Sequence, residues 1–120
     1  LDLVNKEYSI SFYYKLINNL DTYSGIFILG ENERVSLSGS IEVYHSWNSS
    51  VNDLKIIYRN NANTHGGLIF NPIPNIWYNI TITLTSTELK VYVDCQLKLT
   101  FTLSNGLADG IYSCNYFYLQ

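Results

Sequence analysis

Several residue types are scarce or missing in this sequence, and each shortage narrows the range of functions. Methionine is absent, and the 120 residues include only two cysteines, two histidines and two prolines. Charged residues make up 14% of the chain and the net charge is -3, so there is no basic footprint for nucleic acid. No apolar run approaches the roughly 20 residues that a membrane-spanning helix requires. We therefore expect neither a nucleic-acid-binding protein nor a transmembrane segment.

The length and the apolar content predict one folded domain over residues 1–120. Hydrophobic residues make up 47% of the chain, which is too many for an intrinsically disordered segment. Position 1 is Leu and no Met follows. We therefore expect a processed chain or a part of a longer one, for which the lack of a signal peptide is uninformative.

Apolar and polar residues alternate along almost the whole sequence. From Tyr8 to Leu16, every second residue is apolar, which is the period of a half-buried β-strand. Turn-forming residues recur about every 8–12 residues, a spacing typical of a β-sandwich or barrel. The segment 60–67, which is rich in Asn and Gly, is interpreted as one of the loops. The same alternation occurs in residues 25–30, 41–47, 54–58, 78–84, 89–95, 97–103 and 111–119.

Two stretches resemble a known family. "WYNITITLTSTELKVYVDC" (77–95) resembles the hairpin of laminin-G-like and pentraxin-like domains of the concanavalin A-like lectin/glucanase superfamily. "YSISFYYKL" followed by "SGIFILG" is similar to the early strand pair of that family. The resemblance implies an all-β, two-sheet antiparallel β-sandwich (jelly roll) whose last strand returns to the first. It also implies that Trp77 packs between the sheets.

Cys95 departs from the family pattern, which usually has Gly after the turn Asp. Glycine adopts positive φ without steric cost, so either the turn is altered or Cys95 is held in place. A Cys95–Cys114 disulfide would hold it, and two cysteines are compatible with one disulfide or with two free thiols. The resemblance further implies that Asp94 is structural.

The superfamily includes glucanases, but the sequence does not predict an enzyme. Retaining glycosidases need two carboxyl groups about 5–5.5 Å apart, as the Glu-x-Asp-x-x-Glu strand of the related glucanases provides. The nearest approach here is Glu31-Asn32-Glu33, in a turn. His45 shares a strand face with apolar residues and is expected to be packed, and two isolated histidines do not make a zinc site.

Two N-glycosylation patterns favour a secreted or cell-surface glycoprotein. Asn48-Ser49-Ser50 and Asn79-Ile80-Thr81 both match the N-glycosylation pattern, so Asn48 and Asn79 are candidate acceptors. Relatives of the family often bind calcium through oxygen ligands, as a hard cation requires. The resemblance therefore makes Asp53 and Asp109 candidate calcium ligands, although Asp109 also fits an ordinary turn before Gly110.

Residues 58–65, together with Trp47, include amide, hydroxyl and aromatic side chains, which are the groups that bind a sugar. Sugars present a polar rim to amides and hydroxyls and an apolar face to an aromatic ring. The alternative is that the Asn-rich loop only forms turns and that the Trp closes the core. The candidate ligand-binding residues are Trp47, Tyr58, Arg59, Asn60, Asn61, Asn63 and His65.

A surface rich in Tyr suggests a second kind of role. Aromatic residues are enriched and charged residues depleted at protein–protein interfaces, so such a surface could support self-assembly into a coat or filament. We expect a non-catalytic extracellular recognition module that binds glycan or a protein partner in cell adhesion, with structural assembly as the alternative. The outward-facing candidates are Tyr13, Tyr92, Tyr112, Tyr116 and Tyr118.

Overall fold

A computed structural model describes residues 7–17, 24–30, 40–48, 51–59, 64–103 and 116–119. Over these ranges the chain forms strands and turns only, so none of them contains a helix long and apolar enough to cross a membrane. The strands are β1 (Tyr8–Lys15), β2 (Ser24–Gly30), β3 (Ser40–Asn48), β4 (Val51–Arg59), β5 (Thr64–Phe70), β6 (Trp77–Leu84), β7 (Glu88–Val93), β8 (Gln96–Thr102) and β9 (Tyr116–Leu119).

The strands form two antiparallel sheets. The order is β1-β6-β7-β8 in the four-stranded sheet and β5-β4-β3-β2-β9 in the five-stranded sheet. This confirms the predicted all-β, two-sheet architecture. The last strand does not return to the first, however. β9 pairs with β2, whereas β1 pairs with β6 in the other sheet.

The core lies between the sheets and is built from the alternating apolar residues. β1 and β6 pair without a break from Tyr8–Leu84 to Lys15–Trp77, so one face of each strand is continuous. Burying one aliphatic side chain in this core contributes about 1.5–3 kcal/mol to the free energy of folding, before the entropy of ordering is subtracted. The fully buried aliphatic residues are Ile41, Val43, Leu54, Ile56, Ile80, Ile82, Leu89 and Val91.

β5 is a strand where the sequence predicts a loop. Its two glycines, Gly66 and Gly67, suggest a turn, but they pair with Ile57 and Ile56 of β4. A Cβ added at Gly67 would lie 3.4 Å from both methyl groups of Leu99, in the other sheet. Glycine inside a strand often marks such a close approach, and here it lets the two sheets pack together.

The β7–β8 hairpin turns on Asp94 and Cys95, which have φ values of 48° and 67°. Two central residues with positive φ give the tight turn that suits the twist of antiparallel strands. Cys95 therefore adopts the left-handed conformation in place of the family's Gly. It is exposed and its thiol is free, and Cys114 lies outside the described residues, so the structure does not support the predicted disulfide.

Candidate functional site

The outer face of the five-stranded sheet carries a row of polar side chains on its two neighbouring strands β3 and β4. The register places these residues in cross-strand pairs: Tyr44 is opposite Lys55, Ser46 is opposite Asp53, and Glu42 is opposite Ile57, which lies two residues before Arg59. They alternate with Ile41, Val43, Leu54, Ile56 and Tyr58 of the core. The β3–β4 face is defined by Glu42, Tyr44, Ser46, Asp53, Lys55, Ile57 and Arg59.

Glu42 is the most unusual residue of the β3–β4 face. Only 1% of its surface is exposed, although it points away from the core. Burial raises the pKa of its carboxyl to about 7, against a smaller opposing effect of the nearby Arg59 guanidinium. A carboxyl that changes charge near neutral pH beside a fixed cation is typical of binding and catalytic sites.

Asp53 holds one end of the face together. The Asn71 side-chain amide donates hydrogen bonds to Asp53 Oδ1 at 2.6 Å and to the carbonyl of Asn52 at 3.1 Å. Asp53 Oδ2 lies 3.6 Å from Lys55 Nζ. Both carboxylate oxygens therefore have protein partners, and a calcium ion would have to displace the Lys55 ammonium.

The described residues contain no group of three His, Cys, Asp or Glu side chains that could hold a metal ion. The other predicted calcium ligand, Asp109, lies outside the described residues, and so do Glu31 and Glu33. Calcium binding therefore stays a prediction.

The two carboxyl groups of the face are too far apart to act as a glycosidase pair. Asp53 is opposite Ser46, which is four residues along β3 from Glu42. At about 3.3 Å per residue, the two acids are separated by about 13 Å. Retaining glycosidases need about 5–5.5 Å and inverting ones about 6.5–9.5 Å.

Two predicted ligand-binding residues lie inside the sandwich. Tyr58 is fully buried, and burial raises its pKa to about 12. His65, its cross-strand neighbour on β5, stacks on the Tyr58 ring at 6.2 Å and contacts the Phe101 ring at 5.4 Å. His65 therefore lies in a strand and not in the predicted exposed loop, and Tyr58, predicted just before that loop, points into the core from β4.

The other predicted ligand residues are divided between the outer face and the rest of the chain. Arg59 lies on the β3–β4 face, two residues after Ile57 on the same strand and therefore on the same side of the sheet. Asn60, Asn61 and Asn63 lie outside the described residues. Among the predicted ligand residues that the structure describes, Arg59 lies near Glu42, a site residue that sequence reasoning did not select.

Trp47 is half-buried near the end of β3, opposite Asn52. Beside it, His45 is fully buried, as predicted, and its Nε2 lies 2.9 Å from Asn52 Oδ1. Asn48 is the last residue of β3, and the rest of its sequon lies outside the described residues. The buried contact between His45 and Asn52, its neighbours, therefore holds the backbone around Trp47 in place at this end of the sandwich.

Trp77 lies on the surface, where the resemblance predicts a buried residue. Its side chain is 61% exposed on the outer face of the four-stranded sheet. Tyr78 points inward instead, and its ring packs edge-on against Phe70 at 4.7 Å. The sequence alone could have shown this. Trp77 lies an odd number of residues from the buried Ile80 and Ile82, so its side chain is on the opposite face of β6.

Asn79, the second sequon, lies on the same outer face. Its Nδ2 donates a hydrogen bond of 3.1 Å to Ser11 Oγ, and its Oδ1 accepts one of 3.1 Å from the Thr81 hydroxyl. Asn79 is thus half-buried, and the nitrogen that would carry a glycan is hydrogen-bonded. Glycosylation at Asn79 stays a prediction.

Two of the predicted outward-facing tyrosines, Tyr13 and Tyr92, lie on the outer face of the four-stranded sheet, opposite Asn79 and Thr81. Tyr13 is 74% exposed and Tyr92 is half-buried. Tyr116 and Tyr118 belong to β9, and Tyr112 lies outside the described residues.

Comparisons with known proteins show the fold. No family model and no curated protein sequence matches the chain. Its structure is similar to the CBM40 module of the Ruminococcus gnavus IT-sialidase, with a TM-score of 0.68 and 10% identity over 97% of this chain and 64% of that one. The same module bound to alpha2,6 sialyllactose gives 0.69 and 10% over 98% and 71%.

LamAcat from Zobellia galactanivorans gives a TM-score of 0.57 and 15% identity over 85% of this chain and 49% of that one. The chain thus spans about two thirds of the CBM40 structures and half of LamAcat. At 10–15% identity these likenesses show the fold alone, a β-sandwich.

Proposed function

We propose that the chain is a non-catalytic, extracellular glycan-recognition module that binds its ligand on the β3–β4 face. The observation that carries this proposal is the burial of Glu42 on the side of the sheet away from the core, close enough to the Arg59 guanidinium for their charges to interact. Burying a carboxyl outside the core destabilises the fold unless something offsets it. A binding site, in which the carboxyl and the guanidinium are held in place for a ligand, accounts for this arrangement.

The chemistry around the pair suits a sugar. Tyr44 supplies an aromatic ring, and Lys55 and Arg59 supply hydrogen-bond donors at either end of Ile57. Gly66 of β5 is exposed beside Ile57, so the surface is open there. Pockets that bind small ligands combine an apolar floor with a few polar groups that fix the orientation.

The structural neighbours support the choice of ligand class. Two of them are CBM40 modules bound to sialyllactose, a glycan that carries a carboxylate. A guanidinium binds a carboxylate through two parallel hydrogen bonds. We therefore expect Arg59 to favour glycans with an acidic sugar, and the wide separation of Glu42 and Asp53 supports recognition without hydrolysis.

Two experiments test the proposal. The purified protein is first applied to a glycan array and is then titrated with sialyllactose. Arg59→Ala should abolish binding, and Arg59→Lys should weaken it, because Lys keeps the charge and loses the planar fork. Lys98→Ala, an exposed cation on β8, is the matched control and should bind normally. No binding to any glycan, or equal binding by Arg59→Ala, would overturn the assignment of this face.

A further inference from the structure

We propose a second carbohydrate-binding surface on the opposite sheet, where Trp77 and Tyr13 stack against neutral pyranose rings. We call it the Trp77 platform and define it by Tyr13, Lys15, Trp77 and Asn79. It uses a different sheet and a different ligand chemistry from the β3–β4 face. It therefore does not rest on the function proposed above.

The two aromatic rings are neighbours on one face. Lys15 is opposite Trp77, and Tyr13 is opposite Asn79, in the unbroken register of β1 and β6. Diagonal neighbours on such a pair are about 7–8 Å apart, within reach of aromatic side chains. With 74% of Tyr13 and 61% of Trp77 exposed, the two rings form a surface open to solvent.

Lys15 orients the indole and leaves one of its faces open. The Lys15 ammonium lies 5.4 Å from the centre of the Trp77 ring. A cation at this distance is attracted to the electron-rich face of the ring and restricts its movement. The ammonium covers one face only, and 61% of Trp77 is exposed, so we assign the stacking contact with a sugar to the ring face away from Lys15.

The backbone beneath the platform is held in place on both sides. The Asn75 N–H donates a hydrogen bond of 2.6 Å to the Leu16 carbonyl, which ties the segment before Trp77 to the end of β1. The Ile73 N–H donates to the Tyr78 hydroxyl at 3.1 Å. A platform on two paired strands is therefore pre-formed, so that binding orders few groups.

The charges around the platform favour a neutral ligand. Lys15 is the cation at one end, and Asp94 lies at the other, where its Oδ1 accepts the Asn79 N–H. The two charges have opposite signs. The Asn79 amide lies beside the rings, and the Ser11 and Thr81 hydroxyls follow two residues further along β1 and β6; such groups suit the hydroxyl rim of a sugar.

Three exposed isoleucines lie beside the platform, at the end of the sandwich and outside the strands. These are Ile17, after β1, and Ile73 and Ile76, in the β5–β6 connection. They would contribute to an interface between copies of the chain but have no hydrogen-bonding groups for a sugar. They therefore supply a control that separates the two kinds of partner.

The test uses neutral β-1,3- and β-1,4-linked gluco-oligosaccharides, with calorimetry and the indole N–H resonance of Trp77 as readouts. We expect the resonance to shift on addition and Trp77→Ala to weaken binding about tenfold, as for loss of one good aromatic contact. Trp77→Phe should retain most of the affinity. Ile73→Ser and Lys98→Ala should bind like the unchanged protein.

Tyr13→Ala provides a second variant, since this largely exposed residue can be removed without disturbing the core, and it should weaken binding severalfold. An unshifted Trp77 resonance, or equal affinity in Trp77→Ala, would overturn the proposal. Loss of binding in Arg59→Ala alone would instead assign neutral sugars to the β3–β4 face. Self-association that both Trp77→Ala and Ile73→Ser abolish, without sugar binding, would make this surface an interface between copies.

Discussion

Asn79 and Asp94 exchange two hydrogen bonds across the hairpin that begins with β6. The Asp94 N–H donates to the Asn79 carbonyl, and the Asn79 N–H donates to Asp94 Oδ1, both at 2.9 Å. The side chain of Asp94 thus continues the ladder after β7 has ended. This gives the predicted structural Asp a specific role, because it fixes the register of the turn in which Cys95 adopts positive φ.

Cys95→Gly should stabilise the protein. At a φ of 67°, a residue with a Cβ costs about 1–2 kcal/mol that glycine avoids. Part of this gain is offset by the greater chain entropy of glycine in the unfolded state, so we expect an increase of about 0.5–1 kcal/mol in the free energy of unfolding, measured in urea. Cys95→Ala is the control, because it removes the thiol and keeps the strain. A Gly variant no more stable than the Ala variant would contradict the prediction.

Glu42 should make the stability depend on pH. Below pH 4.5 its carboxyl is protonated in both states; between pH 4.5 and about 7 the unfolded chain releases the proton and the folded protein keeps it. Stability should therefore fall as pH rises through this window, by up to about 3 kcal/mol, and level off above it. Urea denaturation from pH 4 to 8 measures the fall. Glu42→Gln should lack it, and a parallel profile in the two proteins would count against a raised pKa.

Asn71→Ala should destabilise the protein although Asn71 itself is exposed. The change removes the amide that donates to Asp53 Oδ1 and to the Asn52 carbonyl, and leaves a buried carboxylate short of a partner. We expect a loss of about 1–3 kcal/mol in chemical denaturation. The same change made on an Asp53→Asn background should cost less, because residues that share a contact are coupled. Equal losses in the two backgrounds would show that the contact contributes little.

Calcium should not stabilise the described part of the protein. Asp53 already accepts from Asn71 and faces Lys55, so it offers no open carboxylate. We expect the difference in melting temperature between millimolar calcium and chelator to be the same in the unchanged protein and in Asp53→Asn. A rise with calcium concentration, as linkage requires for a ligand that binds only the folded state, would locate a site outside these residues, for which Asp109 is the first candidate.

Gly66→Val and Gly67→Val should have opposite effects on stability and binding. A Cβ at Gly67 meets Leu99 at 3.4 Å, so a larger side chain overpacks the core and should cost about 1–3 kcal/mol. A Cβ at Gly66 has 3.9 Å to its nearest neighbours and points outward. Gly66→Val should therefore fold normally but weaken sialyllactose binding, because it covers the open surface beside Ile57. Normal glycan binding by this variant would argue against the β3–β4 face as the site.

The local alternation of apolar and polar residues was sufficient to predict which face of most strands points into the core. The alternation around Ile80 and Ile82 predicts the β6–β7 hairpin, and the parity of Glu42 and Trp77 places both outside the core. The resemblance nevertheless implied a buried Trp77, and sequence reasoning passed over Glu42 as a site residue. For Trp77, the alternation in this chain was the better guide than the family pattern.

The alternation in the sequence alone determined the all-β class, because side chains of an extended chain alternate in direction whatever the strand pairs with. The choice of a two-sheet sandwich over a barrel came from the family resemblance. Only the tertiary structure decided that the Gly66-Gly67 segment is a strand, that β9 joins β2, and that Glu42 is buried beside Arg59. Each of these depends on which distant strands pair and how closely the sheets approach. Such contacts arise between residues far apart in the sequence, where no local period records them.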